Sequence, residues 1–235
     1  MKPALVLGIE TSGASTGLAL TDSGTVVAEL VEDSSCTHNE VLMPLLDRLL
    51  KGAGANVREL SGIGVDIGPG MFTSLRVGTS TAKGLAVAHR IPVFGMSSLW
   101  GLARTALPTL DGVLSLIDAR KHQVHAALYL GGHPAIPPSL MSPEELVSAV
   151  EKSLPSRIKL VAAGNGASMC VELFAAAGIV FESTGIDLPS PAVIAIEAGE
   201  QMARGQTDGT APVEPLYLRR TDAELNREHK LGSKG

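Results

Sequence analysis

Residues 4–20 read ALVLGIETSGASTGLAL, and residues 112–130 read GVLSLIDARKHQVHAALYL. Each stretch is an apolar run, an acidic residue, a polar turn and a second apolar run, with Asp118 in the place of Glu10. Apolar runs bounded by turn residues predict buried strands, and two of them across a short polar turn predict a hairpin. The chain is therefore expected to hold two related halves, each opened by a hairpin.

Outward from the first hairpin, a strand is expected at 17–21 and, past the Asp22-Ser23-Gly24 turn, a third at 25–30, which makes an antiparallel meander. In residues 39–51 the pairs Val41/Leu42, Leu45/Leu46 and Leu49/Leu50 recur every fourth position and paint a wide apolar stripe on a helix. Pro44 predicts a helix start close to Glu40 or a small kink, since proline costs least in a first turn. A strand at 63–67 leads through Gly68-Pro69-Gly70 into a second helix over 72–89. Later elements are a helix near 142–153, a strand at 158–163, a helix at 167–177, a short strand at 179–182, and a helix opened by Pro189-Ser190-Pro191 that runs to about residue 204 and returns to the first half. The expected organisation is an α/β chain with a first half over 1–105, joined by the helix at about 190–205. A smaller second half spans 106–189, and a charged tail over 219–235 is expected to be mobile or ordered only on binding.

Composition narrows the functions available. With 235 residues and 45% hydrophobic content the chain can bury a sizeable core. A formal charge of −5 and 3% aromatic residues argue against a surface built to grip phosphates or stack bases. Cys36 and Cys170 are far apart and form no C-x-x-C pair, so neither a disulfide framework nor a zinc knuckle is expected. The opening MKPALVLGIETSG has a short apolar run interrupted by Glu10, and no stretch nears a membrane span of about 20 apolar residues. The expectation is a cytoplasmic protein without a membrane partner.

Three blocks carry a more specific signal: residues 68–78 (GPGMFTSLRVG), 82–86 (AKGLA) and 91–99 (IPVFGMSSL). They resemble, in the same order and at similar spacing, the GPGSFTGLR-x-G, AKGLA and iPv-x-g-x-SSL blocks of the TsaB (YeaZ) family, a partner subunit in bacterial tRNA threonylcarbamoyladenosine biosynthesis. His38-Asn39-Glu40 and Pro215-Leu216-Tyr217-Leu218-Arg219 agree more weakly. Met71 and Ser74 depart from the family's Ser and Gly, and Glu10 stands where Asp is commoner; GIETS at 8–12 also looks like the opening of the catalytic paralogue TsaD. The order of elements likewise looks like a ribonuclease H-like half of the actin and sugar-kinase superfamily, with the second half degenerate.

The resemblance implies a non-catalytic scaffold that binds TsaD, and with it TsaE, for threonylcarbamoyl transfer to the adenosine beside the anticodon of ANN-reading tRNAs. It implies a homodimer when alone, tRNA contact only through the complex, and no cofactor of its own, a nucleotide at the interface shared with TsaD being left open. The candidate interface is Leu42, Met43, Leu46, Leu49 and Leu50 on the first long helix with Phe72, Ser74, Arg76, Gly78, Ala82 and Lys83 on the second. Stripe width assigns about half of the paired residues at 41–50 to a partner. Ser74, Gly78 and Ala82 lie four apart, a row of small residues along which another helix could approach closely. Gly68 and Gly70 permit unusual backbone angles while Pro69 stiffens the turn, so this loop either aims N–H groups at an anion or is simply tight.

Catalytic machinery is sparse. The resemblance implies that the catalytic paralogue TsaD holds its metal through two histidines four apart on a helix; here that pair is broken, because Leu42 follows His38 at that spacing. His122 and His125 would face opposite sides of a strand, and no G-x-S-x-G elbow is present. Glu10, Thr11, Ser12 and Gly13 could form a phosphate loop and Gly164-Asn165-Gly166 a remnant of another, yet Glu10 and Asp118 serve equally as caps of their turns. The rival reading is a small ATP-dependent kinase or ATPase using Glu10, Asp66 and the Gly68–Gly70 loop.

Overall fold

The computed structural model describes residues 4–33, 37–106, 112–154, 158–205 and 213–218. The expected tail over 219–235, and Cys36, lie outside the described residues. The first hairpin forms as the two apolar runs predict: β1 (Leu5–Glu10) pairs antiparallel with β2 (Ser15–Asp22), and β2 with β3 (Thr25–Asp33). Then β4 (Leu60–Gly68) joins β1 in parallel, and β5 (Val93–Ser97) joins β4, giving the order β3-β2-β1-β4-β5. The second sheet repeats this order as β8-β7-β6-β9-β10, from β6 (Gly112–Asp118), β7 (Val124–Leu130), β8 (His133–Met141), β9 (Leu160–Ala163) and β10 (Phe181–Ser183). The duplication seen in the two apolar–acidic–apolar stretches thus extends to a five-stranded mixed sheet in each half.

Helices α1 (His38–Gly52) and α2 (Phe72–His89) cover one face of the first sheet. Leu7, Ile9, Leu18, Leu20, Ile63 and Val65 meet the α1 leucines there in one core cluster. Between the sheets lie α3 (Ser98–Ala106), packed on Val113, Ala127 and Tyr129, and α6 (Pro191–Ala203), packed on β1, β2 and β4. The far face of the second sheet is closed by α4 (Pro143–Ser153) and α5 (Val171–Ala176) around Leu146, Val150 and Phe174.

Local chemistry sets the ends of these elements. α1 starts at His38, two residues before the expected Glu40, because Thr37 and Glu40 form a reciprocal capping box; Pro44 sits exposed inside the helix. Ser142 and Glu145 cap α4 in the same way, with Pro143 in the first turn, and α2 stops where Arg90 turns left-handed at φ 58°. β8 went unpredicted because it carries Pro134, Pro137 and Pro138, which a strand accepts at a sheet edge where no ladder donor is needed. The expected helix over 167–177 is a short 3-10 turn, Ala167–Met169, followed by α5.

Two glycines let α6 lie directly on the sheet. A Cβ at Gly8 would collide with the Pro191 carbonyl, and one at Gly64 would stand 2.5 Å from the Ile194 carbonyl. Gly8→Val is therefore expected to force α6 off β1 and destabilise the fold by about 1–3 kcal/mol in urea unfolding; an unchanged midpoint would mean that the helix is not seated so closely.

Candidate functional site

The C-terminal ends of β1, β4 and β6 open on a cleft of about 660 Å³ between the halves. Its walls come from the turn after β1 (Ser12, Gly13), the start of α2 (Met71, Phe72), the end of β6 and the turn after it (Asp118, Arg120), Asn165 in the turn after β9, Leu188, and the 216–218 segment. In a fold of this shape the turn after β1 is where backbone N–H groups could cradle a phosphate. Here that turn is closed. The Met71 N–H donates to the Ser12 carbonyl at 2.8 Å, and the Thr11 hydroxyl donates to the Ser74 carbonyl at 3.0 Å. Gly13 lies beneath the Leu188 side chain with no room for a Cβ, and Gly70 lies against the backbone of Ser12. The second turn is filled as well: Gly164, at φ 108°, abuts the Leu116 carbonyl, and the Asn165 Oδ1 accepts from the Asp118 N–H at 2.9 Å.

Beneath the first turn lie two buried carboxyls. Ile9 faces Val65 across the β1–β4 ladder, so Glu10 and Asp66 follow side by side on the opposite face of the sheet. Glu10 Oε1 accepts from both the N–H and the hydroxyl of Ser12 at 2.6 Å, the turn-capping one of the two roles left open for it. Asp66 Oδ1 accepts from the Gly68 N–H at 2.7 Å and from the Ser98 hydroxyl at 2.6 Å. Burial, reinforced by the neighbouring Asp66, pushes the Glu10 carboxyl up to about 8; burial raises Asp66 as well, against the pull of Ser98 and Gly68. His38, at the start of α1, is hydrogen-bonded to the Thr16 hydroxyl at 2.8 Å, and burial holds it below its ordinary value. Asp118 caps its own turn by accepting from the Arg120 N–H at 2.7 Å. His122 pairs with Glu144 at 3.1 Å on the surface while His125 is buried on β7, so the two do not converge. Among the described residues no group of three or more His, Cys, Asp or Glu side chains comes together as a metal site.

The profile of the TsaD family, tRNA N6-adenosine threonylcarbamoyltransferase, matches residues 24–227. A transferase of that name from Tropheryma whipplei is 37% identical over 43% of this chain, but over only 29% of its own length. By contrast, the tRNA threonylcarbamoyladenosine biosynthesis protein TsaB of Escherichia coli is 28% identical over 91% of this chain and 94% of its own. YeaZ from Pseudomonas aeruginosa superposes with a TM-score of 0.74 at 25% identity, covering 92% of this chain and all of that one. The chain belongs to the TsaB (YeaZ) family. A ROK family protein from Streptococcus pneumoniae, at 11% identity and a TM-score of 0.50 over 86% of this chain and 99% of that one, shares the fold. The two sheets are thus ribonuclease H-like halves, as expected.

The structure corrects where the family's helices turn their residues. The α1 pairs do not split between two surfaces: Leu42, Leu45, Leu46, Leu49 and Leu50 are all buried in the chain's own core, and only Met43 among the named α1 residues is exposed. The sheet, α2 and the 53–57 turn surround α1 on more than one side, so a stripe of this width is consumed within the monomer. The small-residue row is also used internally, since Ser74, Gly78 and Ala82 are buried and Gly78 sits against the Thr11 side chain. Phe72, Arg76 and Lys83 remain on the outer face of α2. In the loop, Gly68 and Pro69 are buried and Gly70 is exposed. Gly68 takes φ 99°, and its N–H is spent on Asp66, so the loop is a tight turn rather than an anion cradle.

Two exposed contributors were missed. Val87, on the same outer face, is 84% exposed, and no periodicity argument distinguishes it from a core valine. Tyr217 donates nothing to the core; its ring lies 5.0 Å from that of Phe72, and its hydroxyl accepts from Arg76 Nε at 3.1 Å, with the guanidinium 3.9 Å over the Phe72 ring. The Tyr217 signal lay in the Pro215–Arg219 agreement, which marked the segment without saying what it touches. From this placement Leu46→Ala is expected to cost about 2–5 kcal/mol of stability in urea unfolding, and Met43→Ala under about 0.5 kcal/mol. The reverse ranking would return the α1 leucines to the surface.

Proposed function

We propose that the chain is a non-catalytic scaffold and activator subunit that binds TsaD, and with it TsaE, for threonylcarbamoyl transfer to the adenosine beside the anticodon of ANN-reading tRNAs. The observation that carries this reading is the contrast between the two sides of α2. Its inner side shuts the turn after β1 through Ser12, Thr11 and Ser74, which leaves no open phosphate loop for turnover. Its outer side presents Phe72, Arg76, Lys83 and Val87, apolar and basic, on a helix that contains no acidic residue in a chain of net charge −5. Together with Met43 on the adjoining α1, that side suits an apolar partner surface fringed with carboxylates.

The docking face is narrower than the two full helices: Met43, Phe72, Arg76, Lys83 and Val87 meet the partner, and the buried leucines and small residues support them from below. A chain on its own covers the same face by pairing with a second copy. The chain's acidity, and its scarcity of exposed aromatics, put tRNA contact in the assembled complex rather than in this subunit alone. No helix among the described residues is long and apolar enough to cross a membrane, in keeping with a cytoplasmic assembly.

The test is capture by TsaD. Val87→Arg and the pair Phe72→Ala with Arg76→Ala are each expected to weaken binding at least tenfold, about 1.4 kcal/mol or more, with an unchanged circular dichroism spectrum. Undiminished capture of both variants would remove α2 from the interface, and no capture of the unmodified chain would end the scaffold reading.

A further inference from the structure

Asp66 is fully buried, and while its Oδ1 accepts two hydrogen bonds, its Oδ2 accepts none among the described residues; the Ser12 hydroxyl, which also favours the Asp66 carboxylate, is donated to Glu10 Oε1. A buried carboxylate oxygen without a donor is costly, on a scale that native folds rarely leave unmet. Glu10, 2% exposed, stands beside it on the neighbouring strand, and its Oε1 is the atom that takes both Ser12 donors. Its other oxygen is thus left to carry a proton, since a neutral carboxyl accepts through one oxygen and donates through the other, whereas a carboxylate only accepts.

We propose that Glu10 and Asp66 share a single proton, held on Glu10 Oε2 and donated to Asp66 Oδ2, and that this hydrogen bond locks the turn after β1 to the loop after β4. Every polar atom of the pair then has a role: Glu10 Oε1 accepts from Ser12, Glu10 Oε2 donates, Asp66 Oδ2 accepts, and Asp66 Oδ1 accepts from Gly68 and Ser98. The arrangement follows the general behaviour of two carboxyls in one dry site, which cannot both ionise. Through Ser12 and Gly68 the lock reaches both segments that anchor the start of α2.

Among the described residues no cation faces the pair from the surrounding elements. From α6, Glu197 and Glu200 are both tied to Arg104 of α3, and at the α6 start Glu29 of β3 accepts from the capping Ser190 hydroxyl at 3.1 Å. β5 carries no charge, and β2 has its only charge, Asp22, at the far end opposite Leu5. Arg76 and Lys83 of α2 lie on its exposed face, and His38 of α1 is spent on Thr16.

The sign of the resulting linkage is fixed. A carboxyl whose proton is held more tightly in the folded than in the unfolded chain stabilises the fold at low pH, and that contribution drains away as pH rises through the window between the ordinary carboxylate value of 4.5 and about 8. Glu10→Gln keeps the shape and supplies an N–H to Asp66 that cannot be titrated. In urea unfolding from pH 5 to 9, the folding equilibrium constant of the unmodified chain is expected to fall relative to that of E10Q, by up to about tenfold per pH unit inside the window, and to run parallel above it. Parallel profiles throughout would overturn the proposal. A second readout needs no variant: infrared spectra of the folded, unmodified chain at pH 7 should contain the carbonyl stretch of a protonated carboxyl, lost as the pH is raised above about 8. A spectrum at pH 7 with carboxylate bands alone would contradict the shared proton, whether or not E10Q folds.

Discussion

The Ser12 carbonyl, accepting from the Met71 N–H at 2.8 Å, is the clasp around which the first half is organised. On one side of it, Ser12 donates to Glu10 at the end of β1; on the other, α2 begins, and Gly78, seven residues beyond Met71, offers no side chain, so the helix can close on Thr11. Remove the clasp and three things loosen together: the end of the central strand, the loop after β4, and the seat of the longest helix. A turn that binds phosphate must keep its N–H groups turned outward and its floor clear. This one faces its own neighbours, and Leu188 lies over Gly13.

The second half repeats the design and closes it differently. Gly164 abuts Leu116, Asn165 satisfies Asp118, and Asp118 in turn caps Arg120, so the polar groups in that wall of the cleft are paired with one another. Both halves thus share one topology, and in each the turn beside the cleft is closed by the chain's own residues. The same helix has two sides: small residues inward, against the turn after β1, and apolar and basic residues outward.

Much of this was legible in the sequence where the signal is local. The paired apolar–acidic–apolar stretches announced two hairpins and their duplication, and α2 begins and ends where the glycine loop and the apolar pattern place it. Burial was not legible to the same degree. The Leu pairs of α1 look like a two-sided stripe, and only the three-dimensional surroundings reveal that sheet, α2 and a following turn consume both sides. Nor does any local pattern join Glu10 to Asp66, or Arg76 to Tyr217, 141 residues away; those partnerships arise from strand order and from the return of the chain past the cleft. β8 was hidden for another reason, because prolines argue against a strand unless its position at the sheet edge is known.

The central claim is that both phosphate-facing turns are sealed by the chain's own residues. Isothermal titration of Mg-ATP into the isolated chain tests it most directly. Sealed turns predict no saturable heat at nucleotide concentrations up to about 1 mM. Saturable binding in the micromolar range with release of phosphate would contradict the account and restore a nucleotide-hydrolysing enzyme.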